Sequence, residues 1–240
     1  MIGTSIALFC PFGIAQESTD RVTLPLNSIV EALEKAQAGV RPRVSYQVIR
    51  EYHLFATNDP STNSEVVAEV NFRPPAAKDY RIEKSSGGNR GQQVVRRILD
   101  REVATTDRDH AHTALNRDNY DFNYMGETIL DGQTCYLLAL KPKRKEKDLI
   151  SGEAWVDPHT FLIRQIEGEV ARTSSWWLKK VRVKITFAVF EGTWQQTSME
   201  AIADVRIVGP HTLTSHILDY RSADELASTE TRVPVLDGKR

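Results

Sequence analysis

From Lys180 to Ile207 apolar and polar residues take turns with almost no break. Val181, Val183, Ile185, Phe187 and Val189 alternate with Lys180, Arg182, Lys184 and Thr186. Glu191-Gly192 turns the chain, and Met199, Ala201, Ala203, Val205 and Ile207 alternate with Glu200, Asp204 and Arg206. A period of two is the signature of an extended strand with one dry and one wet face, and it excludes a helix over the same residues. Gly209-Pro210 turns the chain again before a third run, Leu213–Tyr220. The pattern therefore predicts an antiparallel meander with a single apolar face.

The same period recurs upstream. Val44, Tyr46 and Val48, then Tyr52 and Leu54, share one side of a strand, and Val66, Ala68, Val70 and Phe72 follow after a turn at Asn58-Asp59-Pro60-Ser61. Pro74-Pro75 ends that strand, and Asp79–Lys84 is a short third one. Further on, Phe122–Leu130, Thr134–Leu140, Gly152–Val156 and Phe161–Glu167 read as strands separated by Asp131-Gly132, a basic loop and Asp157-Pro158. That makes about ten strands. Helical spacing occurs only at Ser28–Gly39, with Asn27-Ser28 as the expected cap, and at Gln92–Val103, with a further turn within Ala114–Asp121. The expected class is α+β and mainly β: one antiparallel sheet, strongly curved because sheets of this size twist and curl, with short helices over its concave face. Helices of about 12 residues, about 18 Å long, cover such a face only in part, so an apolar cavity or groove is expected.

The chain ends suggest export. Ile2–Ala15 is uncharged and mostly apolar, too short to span a bilayer, and Gly13-Ile14-Ala15 places small residues where a signal peptidase reads them. A leader over residues 1–15 is expected, cleaved after Ala15, followed by one domain over 16–222 and a polar tail over 223–240. The positive flank usual before such a leader is missing. Cys10 lacks the neighbours of a lipid-attachment site. Once the leader is gone Cys135 stands alone, so no intramolecular disulfide is expected and Cys135 reads as a small core residue.

A net charge of −1 gives no basic face for nucleic acid. Nucleophile elbow, zinc helix, phosphate loop and dinucleotide fingerprint are all missing, so no enzyme activity is expected. Gly87-Gly88-Asn89-Arg90-Gly91 lacks the Lys-Ser/Thr ending of a phosphate cradle and reads as a loop into a helix. Asp107, Asp109, His110 and His112 lie close enough to hold a metal but read first as a solvated loop, and neither metal nor cofactor is expected. Lys141, Lys143, Arg144, Lys145 and Lys147 form the strongest charge run; it either keeps a hairpin tip soluble or contacts anionic lipid headgroups or an acidic partner. Trp176-Trp177 is an adjacent aromatic pair, so within a strand one ring faces each side, one toward the core and one toward the rim of the hollow.

Gly152 to Glu169, GEAWVDPHTFLIRQIEGE, resembles the outer-membrane lipoprotein-sorting superfamily of LolA, LolB and RseB-type proteins: a tryptophan strand, an Asp-Pro turn, and a strand running through Arg164-Gln165-Ile166-Glu167-Gly168. The likeness extends over Ser28–Tyr220. It implies an incomplete β-barrel lidded by helices that accepts acyl chains in the periplasm. It also implies an arginine linked to the lid, for which Arg50 and Arg73 are candidates.

The expected function is a periplasmic, monomeric binding or carrier-like module for a lipid or lipoprotein acyl chain, in transient contact with a membrane. The alternative is an envelope regulator or scaffold that recognises a protein partner with the same fold. Lining is expected from Val44, Tyr46, Val48, Val70 and Phe72 on the early strands and from Val181, Val183, Ile185, Phe187, Met199 and Val205 on the late ones. Val94, Ile98 and Leu99 are the expected helical cover.

Overall fold

In the computed structural model, residues 24–40, 44–56, 58, 60–75, 77–105, 110–173, 176–190, 192–207 and 209–225 are described. The expected leader, with Cys10, and the last fifteen residues of the expected tail lie outside them. Helix α1 (Leu26–Gly39) is followed by strand β1 (Tyr46–Ala56), a short 3-10 turn (Pro60–Thr62), β2 (Ser64–Arg73) and β3 (Ala77–Gly87). Helices α2 (Asn89–Thr105) and α3 (His110–Thr113) come next. Seven strands complete the order: β4 (Tyr120–Leu130), β5 (Gln133–Pro142), β6 (Ile150–Val156), β7 (Ile163–Val170), β8 (Leu178–Phe190), β9 (Thr193–Val205) and β10 (Gly209–Ser222).

All ten strands form one antiparallel sheet in the order β3-β2-β1-β10-β9-β8-β7-β6-β5-β4. Neighbours are consecutive except at one seam, where β10 pairs with β1 and joins the two meanders. Among the described residues β3 and β4 are edges, so the sheet is not closed.

Two helices bury two separate parts of one face. Ile29 and Leu33 of α1 are fully buried against Leu138, Leu140, Ala154, Val156, Ile163 and Ile166 of β5, β6 and β7. Val95 and Leu99 of α2 are buried against Tyr52, Leu54, Val66, Ala68 and Val70 of β1 and β2, with Leu213 of β10. Each such side chain contributes about 1.5–3 kcal/mol relative to exposure. α1 starts at Leu26 behind Pro25, whose φ of −58° is preset for the first turn, and no side chain caps it. The expected Asn27-Ser28 cap is therefore absent because proline supplies the start.

α2 starts close against the 3-10 turn because glycines stand just before it, at Gly88, and in its first turn, at Gly91. A Cβ on Gly91 would meet the Thr62 carbonyl at 2.1 Å, and one on Gly88 the Ser61 carbonyl at 1.8 Å. These glycines serve backbone approach. The Asp157-Pro158 turn has its own cause: Asp157 Oδ1 accepts from the backbone N–H of His159 (2.9 Å) and Thr160 (2.8 Å). Burial opposes the Asp157 charge, yet these donors hold its carboxyl below the ordinary range.

Candidate functional site

Pairing carries one face across the whole middle of the sheet. Ile166 of β7 lies opposite Ile185 of β8, Ile185 opposite Met199 of β9, Met199 opposite Ser215 of β10, and Ser215 opposite Tyr52 of β1. Ile166 belongs to the cluster under α1 and Tyr52 to the cluster under α2. Between them runs a strip made by Val181, Val183 and Ile185 of β8 and Met199, Ala201, Ala203 and Val205 of β9. All seven side chains are only half-buried, whereas Ile166 opposite Ile185 and Leu213 and Ser215 opposite Ala201 and Met199 are buried. Phe187 and Trp194 border the strip at the α1 side, their rings stacked 4.2 Å apart at 9°. Met199 and Ala201 touch the α2 cluster at the other side.

The strip has no charged member, so apolar contact is the only binding chemistry it offers, on the order of 0.8 kcal/mol for each CH₂ group a ligand buries there. At its margin the Ser215 hydroxyl is buried without a hydrogen-bond partner. Such a group costs about 1–3 kcal/mol until a donor or acceptor reaches it.

The residues predicted to line a cavity divide between these environments. Val181, Val183, Ile185, Met199 and Val205 form the strip and Phe187 its border. Val70 is buried beneath α2, while Tyr46, Val48 and Phe72 form a cluster of their own with Ile217 and Tyr220. There Tyr46 stacks on Phe72 at 5.1 Å and on Tyr220 at 5.7 Å. Val44 precedes β1 and is exposed. On α2, Leu99 is buried and Ile98 half-buried, but Val94 faces outward and Val95 fills the inward position. Ala201 and Ala203 were missed as lining although their alternation already placed them beside Val183 and Val181.

Polar contacts fasten the C-terminal end of α2 to two parts of the sheet. Glu102 accepts from Arg50 Nη1 (3.0 Å) and Lys78 Nζ (2.6 Å), and Arg50 Nη1 also donates to the Tyr52 hydroxyl at 3.3 Å. Burial works against both charges, but their attraction wins: Arg50 is held above its ordinary range and Glu102 below. Burial raises Tyr52, which stays a neutral donor or acceptor. One residue earlier, Arg101 pairs with Asp148 ahead of β6, on the α1 side of the sheet. Of the two candidate arginines only Arg50 meets a helix; Arg73 pairs with Asp79 of β3.

The basic run is partly structural. Arg144 donates to Asn119 Oδ1 (2.8 Å) and Glu146 Oε1 (2.8 Å), and Lys143 Nζ donates to the Arg117 carbonyl, so these two tie the segment before β4. Lys141, Lys145 and Lys147 are exposed. Trp176-Trp177 is corrected: the pair sits in the turn ahead of β8, outside any strand, and both rings are exposed. The core takes neither, because β8 begins one residue later, at Leu178. Among the described residues no three metal-ligating side chains come together. Asp107 and Asp109 lie outside those residues.

No family model and no curated protein matches the chain. Solved structures do. The chain is similar in structure to a LolA superfamily protein of Nitrosomonas europaea, at TM-score 0.45 and 13% identity over 83% of this chain and 94% of that one. It is likewise similar to an outer membrane lipoprotein-sorting protein domain of Vibrio parahaemolyticus, at 0.41 and 12% over 85% and 95%. A third likeness is to the MucA/MucB complex of Pseudomonas aeruginosa, at 0.28 and 11% over 81% and 99%.

Proposed function

We propose that the chain is a binding module that takes a lipid or lipoprotein acyl chain onto the strip of β8 and β9, in the manner of a carrier. One observation supports this above others: an uncharged, half-buried apolar floor lies between two helix-covered cores on the same face. An extended acyl chain suits it, since the floor follows two neighbouring strands and asks for no polar recognition along its length. The partnerless Ser215 hydroxyl beside Met199 offers one hydrogen bond to a polar end. With the leader removed after Ala15, the module works in the periplasm.

Titration of the full chain with a fluorescent fatty acid tests the reading. Saturable binding is expected, and Val183→Asp or Met199→Asp is expected to weaken it at least tenfold, because a carboxylate on the floor must be desolvated by the incoming chain. The exposed control Val44→Asp leaves binding unchanged. Absence of uptake, or equal loss in the control, overturns the proposal.

A further inference from the structure

Three connections meet at one end of the sheet. Leu178 pairs with Val205 and the Arg206 amide donates to the Trp177 carbonyl at 2.8 Å, which sets the β7–β8 connection against the β9–β10 turn. Ile150 pairs with Val170 and the Ala171 amide donates to the Leu149 carbonyl at 2.8 Å, which brings the basic β5–β6 connection alongside. An open cavity of about 400 Å³ lies between those two, lined by Glu146, Lys147, Asp148, Arg172 and Thr173. At this end Trp176 is 81% exposed, Trp177 43% and Ile207 102%.

The charges around these side chains are unbalanced. Glu146 is engaged by Arg144, Asp148 by Arg101 and Glu169 by Lys180. Lys145, Lys147, Arg172, Lys179 and Arg206 remain exposed. We propose that this end docks on an anionic lipid bilayer, Trp176 and Ile207 entering the headgroup layer while the cations meet lipid phosphates. Tryptophan favours that layer because its ring is apolar and its N–H is polar. A fully exposed isoleucine at a turn tip next to Arg206 fits between headgroups, where a flat protein surface offers it no recess. The docking is independent of any ligand on the strip.

Co-sedimentation of the full chain with phosphatidylcholine vesicles, with and without phosphatidylglycerol, tests it. Binding only to the anionic vesicles is expected, with a blue shift of tryptophan emission and loss at high salt. W176A/I207S should abolish most of the blue shift and weaken binding at least tenfold. K145Q/K147Q/R172Q should weaken it about a hundredfold, about fivefold for each charge. All five side chains are exposed, so unchanged circular dichroism is expected, and the salt dependence of the unaltered chain needs no variant. Met199→Asp, which disables the strip, should leave vesicle binding intact. No binding to anionic vesicles, binding indifferent to salt, or binding that survives both multiple variants overturns the proposal.

Discussion

A guanidinium can sit on the dry face of a sheet only while a carboxylate answers it, and for Arg50 that carboxylate is Glu102. Removing it with Glu102→Gln leaves two cations facing a neutral amide. The expected loss is about 1–3 kcal/mol in urea unfolding, below that of a fully buried pair because Glu102 keeps some contact with solvent. Arg73→Gln, which breaks an exposed pair, should cost less than about 1 kcal/mol in the same assay. The pH dependence has a definite sign. Glu102 is held below its ordinary value of 4.5, so its contribution is complete above that pH and is lost as pH falls through the lowered folded value. Unfolding midpoints of the unaltered chain should therefore fall in acid, and those of Glu102→Gln should fall less steeply; parallel curves contradict the assignment. The resemblance offered Arg50 as one of two candidates for an arginine linked to the lid, but its partner was not legible in the sequence, because Arg50 and Glu102 are 52 residues apart and nothing local links them.

Elements were far more legible than their partners. The alternation of Lys180–Phe187 and Met199–Val205 placed β8 and β9 and their apolar face directly, since period two depends only on the strand itself, but it ran on too far: Val189 is exposed, and Ile207 lies past the end of β9 in an exposed turn. What alternation cannot say is whether a dry face will be covered. Tyr46 and Val183 look alike in sequence, yet one is buried in an aromatic stack and the other lies half-open, because cover depends on where α1 and α2 come to rest. The ends of elements were the other weak point: Trp176-Trp177 belongs to a turn, where the two-sided strand rule has no force. Helix α2 is held close by its first-turn glycine, so Gly91→Val must push its Cβ against the Thr62 carbonyl and lift the helix. A loss of about 2 kcal/mol or more is expected in thermal unfolding, together with faster amide exchange in α2. Full retention of the midpoint would show that the helix can yield there at little cost.

At the scale of the molecule, one sheet serves two helix-covered cores joined by an apolar middle. Leu33→Ala under α1 and Leu99→Ala under α2 should each cost about 2–5 kcal/mol, and together they should add, since the two sites belong to different clusters. Strong non-additivity in urea unfolding would mean that the cores are a single packing unit. The joining strip is the claim on which function rests, and cross-linking with a fatty acid bearing a photoreactive diazirine on its acyl chain addresses it most directly. Peptide mapping should place the adducts within Val181–Phe187 and Met199–Val205. Adducts confined to the buried stack of Tyr46, Val48 and Phe72, or spread evenly over the surface, would contradict an acyl chain lying along β8 and β9.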